Sequence, residues 1–306
     1  MSGPAAPARR DQTIGYLEVV AAAAMFGSAG IFSEELFAEG FPASSIAPLR
    51  LLIGALALTV AAALANPAAF RPGWRGTALM LGLGGLVTAV FQIAEQLSFA
   101  IAGVTTTVGL MYLAPALVVA ASGPLLGEWP TRAQVALALL SVAGVWLTVT
   151  GGGGAVVSWS VAGTGWGVLC GVAYAAYTLF GRVASPRHGA LATTLYSTLG
   201  GALLLLLALP LTGQTISLPA TPRAWGLLVV YALTTQAAGT GLFYDALRRI
   251  ETSRASITAT LEPVVAAVLA TILLDQGLRP HGWLGLALVV GGVAGAYAVG
   301  SREVAG

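Results

Sequence analysis

Apolar residues occur along this chain in ten long runs, separated by short segments that carry most of the charges. Each run is close to the length of about 20 residues that an α-helix needs to cross a hydrocarbon core of about 30 Å. The runs are continuously apolar, whereas a strand facing lipid would alternate in polarity. The pattern predicts ten transmembrane helices, at residues 14–33, 44–65, 75–99, 103–126, 132–150, 161–180, 190–210, 223–247, 253–274 and 281–300.

The chain can also be aligned on itself with an offset of 148 residues. This offset places Gln92 on Thr240 and Pro115 on Pro263, so the second five helices repeat the first five. Membrane proteins built from two copies of one unit are typically transporters, because the interface between the copies can open to either side in turn. The predicted organisation is a flexible N-terminal tail over residues 1–13, a first five-helix repeat over 14–150, a linker over 151–160 and a second five-helix repeat over 161–301.

The composition supports a membrane protein. Hydrophobic residues make up 57% of the chain and charged residues only 8%, whereas about 25% of the residues of a soluble domain are charged. The net charge of +2 does not indicate a nucleic-acid partner, because the arginines are spread out and no aromatic residues are interleaved with them. The expected partners are the lipid bilayer and a small-molecule substrate.

The arginines indicate the orientation of the chain. All 14 basic residues are arginine, and with a cytoplasmic N-terminus eleven of them lie on the cytoplasmic side, leaving Arg50, Arg223 and Arg279. Cytoplasmic loops carry an excess of basic residues, which favours this orientation. Because each copy has an odd number of helices, the second copy enters the membrane from the other side. The sequence therefore predicts inverted repeats, cytoplasmic N- and C-termini, and a multi-pass protein of the cell inner membrane.

Polar residues inside the helices form two stripes with helical spacing. The stripe on the third helix contains Thr88, Gln92, Glu95 and Gln96, and the stripe on the eighth contains Gln236, Thr240 and Tyr244. Each stripe occupies one helical face. Glutamine and threonine can also bond neighbouring helices together, at about 0.6 kcal/mol per bond in a membrane. Because polar side chains facing lipid would be costly at each of these positions, the matched stripes favour a water-accessible central cavity.

Aromatic residues near the middle of their helices complete a plausible binding site. They are Phe26, Tyr112, Tyr174 and Tyr177. Stacked rings gain about 0.5 to 1.5 kcal/mol beyond area burial, and an aromatic wall with a few polar groups suits an amphipathic organic solute. Packing against neighbouring helices is the alternative for each tyrosine. The tryptophans at predicted helix ends are expected to lie at the lipid headgroups instead, namely Trp74, Trp159, Trp225 and Trp283.

Three charged residues matter most within the predicted spans. Glu262 is the deepest acid, and Pro263 disturbs the helix beside it, so a structural role at the kink and a role in binding substrate or protons both stay open. Arg50 and Glu95 lie at similar depth, and we expect them to lie close together when the cavity is open outward, because an unpaired buried charge is costly. The candidate substrate-binding set is Phe26, Arg50, Thr88, Gln92, Glu95, Gln96, Tyr112, Tyr174, Tyr177, Gln236, Thr240, Tyr244 and Glu262.

The sequence does not favour catalysis or a bound cofactor. His188 and His281 are the only histidines and fall on opposite sides of the predicted membrane, so they cannot join in a metal site. Ser28, within the Gly-Ser-Ala-Gly run at 27–30, has no basic partner at its depth, and these small residues indicate close helix packing. The chain lacks the Gly-rich loop ending in Gly-Lys-Ser/Thr that binds ATP. We therefore predict a protein that is not an enzyme and holds no cofactor or metal.

Several short motifs stand out along the chain, namely Leu49-Arg50-Leu51, the stretch from Tyr112-Leu-Ala-Pro115 through Leu125-Leu-Gly-Glu128 to Gly144-Val145, the segment Arg248 to Ala255, and Thr260-Leu-Glu262-Pro263-Val264-Val265. These motifs resemble those of EamA-type members of the drug/metabolite transporter (DMT) superfamily. The resemblance covers residues 15–300 approximately and implies ten helices and export of metabolites. Within the family, the chain is most similar to the YddG-type exporters of aromatic amino acids. It departs from the family pattern at Leu274-Asp275-Gln276-Gly277, where Leu-Gly-Glu is usual.

The predicted function is secondary transport. We expect export of small amphipathic metabolites, in particular aromatic or large apolar amino acids, by alternating access through a cavity between two inverted repeats. The fifth and tenth helices are poor in polar residues and would support the bundle or form a homodimer, although a monomer is sufficient. The alternatives are a drug or nucleotide-sugar carrier of the same superfamily and a non-transporting membrane scaffold. A scaffold would leave the matched polar stripes unexplained.

Overall fold

The computed structural model of this chain describes residues 9–151, 160–273 and 278–303, which are almost entirely helical. The α-helices are α1 (Arg9–Phe26), α2 (Ala29–Ala38), α3 (Ala43–Ala65), α4 (Trp74–Leu79), α5 (Gly85–Met111), α6 (Ala114–Leu126), α7 (Arg132–Thr150), α8 (Val161–His188), α9 (Ala190–Ala208), α10 (Pro222–Tyr231), α11 (Thr240–Ala246), α12 (Thr252–Ala259), α13 (Leu261–Leu273) and α14 (Pro280–Glu303). Two π-helical segments, Met80–Gly84 and Ala232–Gly239, join α4 to α5 and α10 to α11. Most of the predicted tail and linker, and the departure at 274–277, lie outside the described residues.

Eight helical stretches within the described residues are apolar and long enough to cross a membrane. The bounds of α3 and α7 match the predicted second and fifth helices to within one residue. The first span runs further than predicted, from Arg10 to Ala38, and is interrupted between α1 and α2. At that break a Cβ atom on Gly27 would lie 2.8 Å from the carbonyl oxygen of Glu262. Glycine is needed there for close helix packing, which confirms the interpretation of the small residues at 27–30.

Next to the predicted gap between the third and fourth helices, the structure has one helix, α5, with a sharp bend inside it. Gly103 has φ +79° and ψ 162°, a conformation that residues with a Cβ atom rarely adopt. The part of α5 beyond Gly103 therefore continues into α6, which has only 13 residues of its own. Together these two pieces correspond to the predicted fourth helix.

The predicted fourth and ninth helices are each broken near the middle. The first break separates α5 from α6 at Tyr112, and the second separates α12 from α13 at Thr260. Each break is followed three residues later by a proline, Pro115 or Pro263. Proline has no backbone N–H and its ring clashes with the carbonyl one turn earlier, so it favours a break at that place. The two breaks are related by the offset of the sequence repeat.

The helices pack in a pattern that is unchanged when the two copies are exchanged. The third predicted span packs along the sixth as α5 on α8, and the eighth packs along the first as α11 and the preceding π-helix on α1. The pairs α3 with α9 and α7 with α14 each join equivalent helices of the two copies. Between α7 and α14, a Cβ atom on Gly144 would lie 2.9 Å from the carbonyl oxygen of Gly285. Small residues let these backbones approach closely, as is common in membranes.

Three of the four tryptophans singled out by the sequence have described positions at helix starts. Trp74 and Trp283 are 76% and 56% exposed, and Trp225 is 39% exposed. Trp159 lies outside the described residues. An exposed indole at a helix end is suited to the headgroup region of a bilayer.

Candidate functional site

A small cavity lies at the centre of the bundle, between the two copies. Its volume is about 20 Å³, which holds roughly one water molecule and no organic solute. The lining residues come from seven helices and a π-helical segment: Phe26, Ala29, Arg50, Phe91, Gln92, Glu95, Tyr174, Tyr177, Thr235, Thr240 and Glu262. In this structure the central cavity is therefore contracted around a polar and aromatic lining.

The structure brings most of the candidate residues to this cavity. Those that line it are Phe26, Arg50, Gln92, Glu95, Tyr174, Tyr177, Thr240 and Glu262. The other five are buried behind the lining: Thr88, Gln96, Tyr112, Gln236 and Tyr244. The role of these residues in substrate binding stays a prediction.

Arg50 and Glu95 form the ion pair that their similar depth predicts. Arg50 Nη2 lies 2.8 Å from Glu95 Oε2, with side chains only 2% and 6% exposed. The guanidinium carbon also lies 4.2 Å from the centre of the Tyr231 ring, which adds a cation–π contact. Arg50 Nε and Nη1 are buried without a hydrogen-bond partner. The guanidinium therefore lies at the cavity with two unused donors, one on each edge of its plane, and each can donate to a carboxylate.

Aromatic rings cover the cavity beside this ion pair. The rings of Phe91 and Tyr174 stack at 5.0 Å with an interplanar angle of 8°, and those of Tyr177 and Phe243 stack at 6.3 Å and 5°. Phe26 packs edge-on against Phe243 at 6.3 Å. Sequence reasoning missed Phe91, although it lies four residues before Glu95 and therefore on the same helical face. The result is an aromatic wall of two stacked pairs next to charged groups, with the Tyr174 and Tyr177 rings tilted by 43° to each other.

The two polar stripes meet across the copies. Gln92 Nε2 donates to Gln236 Oε1 at 2.9 Å, and Gln236 Nε2 donates to Thr198 Oγ1 at 2.8 Å. Gln236 packs on Gly54, where a Cβ atom would lie 2.8 Å from the glutamine Cγ. The contacts of Gln236 are therefore those of a side chain that bonds neighbouring helices together. Gln92 instead reaches the cavity, and its Oε1 has no hydrogen-bond partner.

The stripe on the eighth span does not keep α-helical spacing. The π-helix Ala232–Gly239 adds an extra residue to the turn, and the Thr240 hydroxyl donates to the Thr235 carbonyl, five residues back, at 3.3 Å. Thr235 and Thr240 therefore both line the cavity. Tyr244 instead stacks behind it on Tyr177, with ring centres 4.9 Å apart. Thr235 was missed because the prediction assumed four-residue spacing throughout.

Tyr112 connects the two helix breaks behind the cavity. Its hydroxyl lies 2.7 Å from Glu262 Oε2 and 3.0 Å from the carbonyl oxygen of Ala259. Gln96 belongs to a separate network, in which its amide donates to the Tyr231 hydroxyl at 3.1 Å. Thr88 packs near Gly201.

Ion pairs join the two copies at both ends of the cavity. The Arg182 cluster consists of Arg182, Glu128 and Thr252: Arg182 Nε donates to Glu128 Oε1 at 2.5 Å, and the Thr252 N–H donates to Glu128 Oε2 at 3.0 Å. Arg182 also donates to the carbonyl oxygens of Leu247 and Ile250. Since Glu128 belongs to the first copy and its partners to the second, this cluster ties the copies together at one end.

The Arg223 cluster lies at the opposite end and consists of Arg223, Thr221, Glu35 and Glu39. Arg223 Nη1 lies 2.8 Å from Glu39 Oε1, and the Thr221 hydroxyl donates to Glu39 Oε2 at 2.8 Å. Glu35 is a second partner of the guanidinium. The Thr221 hydroxyl and the Arg223 guanidinium lower the pKa of Glu39, because both favour its charged form.

The lowered pKa of Glu39 predicts a pH dependence. The cluster is intact above the ordinary carboxyl pKa and is lost as the pH falls through the lowered value, because protonation removes the charge that holds Arg223. In detergent, the Glu39→Gln variant should melt below the parent at neutral pH and at the same temperature as the parent at strongly acid pH. Glu34→Gln on the same helix is the control, since Glu34 forms no ion pair among the described residues. An equal melting difference at every pH would contradict this account.

A larger groove, of about 720 Å³, lies between the end of α3, the start of α9 and the α10–α11 span. Its lining is mostly alanine, leucine and glycine, with Asn66, His188, Asp245 and Arg248 among its members. It contains none of the thirteen candidate residues. The chemistry that the sequence points to is therefore concentrated in the central cavity.

Comparison with protein families gives two adjacent matches along the chain. The EamA-like transporter family matches residues 13–150 and again residues 161–298. Each match covers one of the two copies.

Relatives of similar length are found in several bacteria. The "uncharacterized inner membrane transporter YicL" of Salmonella typhimurium is 26% identical over 286 residues, which cover 91% of this chain and 93% of the relative. The "uncharacterized protein PA1977" of Pseudomonas aeruginosa is 30% identical over 294 residues, covering 91% and 92%. The "uncharacterized transporter YwfM" of Bacillus subtilis is 30% identical over 156 residues, which span 51% of either chain.

A solved crystal structure supports the same fold. It superposes on this chain with a TM-score of 0.79 at 20% sequence identity, and the match covers 95% of this chain and 99% of the other. At that level of identity the likeness concerns the fold alone.

Proposed function

We propose that this chain, which belongs to the EamA-like transporter family, exports small amphipathic metabolites across the cell inner membrane, in particular amino acids with aromatic or large apolar side chains. The family match covers both halves of the chain, and the relative YicL carries the name of an inner membrane transporter. The substrate class rests on the lining of the central cavity.

The observation that carries the substrate class is the half-used guanidinium of Arg50 beside a wall of rings. Its Nε and Nη1 are buried without hydrogen-bond partners, and an unsatisfied buried donor is costly. A substrate carboxylate would accept one of these hydrogen bonds, because Nε and Nη1 lie on opposite edges of the guanidinium, and a charge-assisted bond of this kind is strong. An aromatic side chain on that substrate would then stack with Phe91 and Tyr174, which already lie parallel.

The charges of the cavity disfavour a strongly anionic substrate. The lining contains two carboxyl groups, Glu95 and Glu262, and one guanidinium that is already paired. A nucleotide sugar would bring several negative charges to a lining whose one cation already has a partner, and a buried charge without a partner is costly. A zwitterion suits the site better, since its ammonium group can approach a carboxylate while its own carboxylate meets Arg50.

Alternating access would work by breaking one terminal cluster at a time. The cavity is contracted, and the Arg182 and Arg223 clusters are both formed. A substrate of amino-acid size can enter only when one cluster breaks and the copies part at that end. We infer ten membrane spans in two inverted repeats with cytoplasmic termini, supported by the exchangeable packing pattern and the odd number of spans in each copy.

The test is transport together with accessibility of the cavity. Purified protein in liposomes should take up labelled L-phenylalanine, whereas liposomes lacking the protein should not. A cysteine at Gln92, combined with Cys170→Ser, should react with a membrane-impermeant thiol reagent when the cavity opens, and L-phenylalanine should slow that reaction. The matched control is a cysteine at Ala89, which is buried outside the cavity lining and should stay unreactive.

A non-transporting scaffold would give the opposite result. The cysteine at position 92 would then stay as unreactive as the control, because Gln92 is only 5% exposed in the contracted cavity and a scaffold has no reason to open it. That outcome, together with no uptake of L-phenylalanine, would remove the proposed function.

A further inference from the structure

Glu262 shares one hydroxyl group with a backbone carbonyl that has lost its helical partner. Pro263 has no N–H, so the carbonyl of Ala259, four residues earlier, receives no helical hydrogen bond from it. The Tyr112 hydroxyl takes that place at 3.0 Å, and the same hydroxyl lies 2.7 Å from Glu262 Oε2. Tyr112 belongs to the first copy and Glu262 to the second, so this contact joins the two helix breaks.

The hydrogen bonds possible at this contact indicate whether Glu262 is charged or neutral. The Tyr112 hydroxyl has one proton and faces two acceptors. If Glu262 is ionised, the Tyr112 hydroxyl donates its hydrogen bond to the carboxylate, and the Ala259 carbonyl is left buried without a donor. If Glu262 is protonated, its own O–H donates to the tyrosine oxygen, and the Tyr112 O–H then donates to Ala259. Both short contacts are satisfied only by the protonated acid.

The surroundings also favour a neutral acid. Glu262 is 7% exposed and forms no ion pair in the described part of the chain. The ionisable groups that face it are Tyr112, Cys170 and Tyr174, together with Glu95 and Arg50, which are bound to each other. The helices packed against α13 are α1, α7 and α14. Their ionisable side chains with described placement are Arg10, Asp11, Tyr16, Glu18, Arg132, His281 and Tyr297, and none of them bonds to Glu262.

We propose that Glu262 is a proton-binding site, protonated while the cavity is contracted, and that it exchanges this proton for the ammonium group of the substrate. The protonated acid stands on the geometry alone, whereas the exchange rests on the proposed transport function. In the exchange, the carboxyl O–H bond breaks, the proton leaves to water on the open side, and the carboxylate pairs with the ammonium. On the other side a proton returns and the ammonium leaves, so one proton enters for each substrate exported.

The exchange would also move the copies. When Glu262 loses its proton, the Tyr112 hydroxyl turns to the carboxylate and the Ala259 carbonyl loses its donor. The contact between the two helix breaks then changes with the charge of Glu262. Proton loss is in this way linked to the part of each copy that must bend for the cavity to open.

Infrared spectroscopy tests the proton site without a substrate. Protein in lipid should show the carbonyl band of a buried protonated carboxylic acid, and this band should be absent in Glu262→Gln, which preserves size and can still donate to Tyr112. Tyr112→Phe should keep the band and shift it, because the acid loses its hydrogen-bond acceptor. Glu39→Gln is the control and should leave the band unchanged. The same spectrum in the parent and in Glu262→Gln would overturn the proton site. If Glu262→Gln fails to fold, an unshifted band in Tyr112→Phe would overturn it instead.

Transport tests the exchange. Loss of labelled L-phenylalanine from liposomes should be several-fold faster when a proton gradient drives protons in the opposite direction. Glu262→Gln should lose this stimulation, and because it also lacks the carboxylate that pairs with the ammonium, its exchange of labelled for unlabelled L-phenylalanine should be slower than that of the parent. If the parent transports L-phenylalanine but ignores the gradient, the exchange is wrong while the proposed function stands. If the parent moves no L-phenylalanine, the proposed function fails and the exchange fails with it, whereas the proton site is judged by the infrared band.

Discussion

Replacing Arg50 by leucine is expected to abolish transport and to lower the amount of folded protein. The substitution leaves the Glu95 carboxylate buried without its cation, at 4% exposure, and breaking a buried pair from one side costs about 3 to 5 kcal/mol. It also removes the donors that would hold a substrate carboxylate. A hydrogen bond to a charged group contributes about 1.5 to 3 kcal/mol, so its loss corresponds to roughly 10-fold weaker binding or more.

The double variant Arg50→Leu, Glu95→Leu separates these two effects. It leaves no charge alone, so the protein level should recover while binding of L-phenylalanine stays lost. The measurement is how strongly unlabelled L-phenylalanine and phenethylamine, which lacks the carboxylate, each compete with labelled L-phenylalanine. The parent should prefer the amino acid, and the double variant should lose that preference. Arg50→Lys should also bind poorly, because a lysine ammonium lacks the planar fork.

Arg71→Leu is the control for these variants. Arg71 is exposed in the loop after α3, far along the chain from the cavity lining, and its replacement should change neither protein level nor transport. The role assigned to Arg50 is wrong if the double variant binds L-phenylalanine as tightly as the parent. A structural role alone would then remain for the ion pair.

The fold could largely be predicted from the sequence because the bilayer dictates it. A helix in lipid must be apolar over its whole length, so the run at 132–150 fixes α7 to the residue. The bend at Gly103 coincides with the first residue of the predicted fourth helix. The break between α1 and α2 was not predicted, because Gly27 and Ser28 lie within one continuous predicted span. It depends on close contact with α13, which brings the carbonyl of Glu262 against Gly27.

The candidate site could be predicted where a buried charge has few possible partners. Arg50 had one carboxylate of similar depth in its own copy, and the pair with Glu95 is confirmed. Thr235 and the contact between Tyr112 and Glu262 were not predicted. Thr235 reaches the cavity through a π-helical turn that the α-helical period does not anticipate. Tyr112 meets Glu262 because two helix breaks from different copies lie side by side, which only the assembled bundle determines.

Replacing Gly200 by alanine is expected to be the most damaging change of a single methyl group. A Cβ atom there would lie 2.2 Å from the carbonyl oxygen of Leu81, in the π-helical segment Met80–Gly84. Backbone atoms cannot turn aside as a flexible side chain can, so α9 and the third span must separate. Overpacking of this kind costs about 1 to 3 kcal/mol, and the melting temperature in detergent should fall by several degrees.

Gly226→Ala is the matched control, since a Cβ atom on Gly226 meets no heavy atom within 4 Å. Alanine restricts the unfolded chain and should stabilise the protein by about 0.4 to 1 kcal/mol there, so its melting temperature should equal or exceed that of the parent. The consequence of Gly200→Ala should extend to function, because the displaced span continues into α5 and carries Gln92 and Glu95 to the cavity. Transport per folded molecule should therefore fall as well. If Gly200→Ala melts and transports like Gly226→Ala, the close contact between α9 and the π-helical segment does not hold the cavity in place.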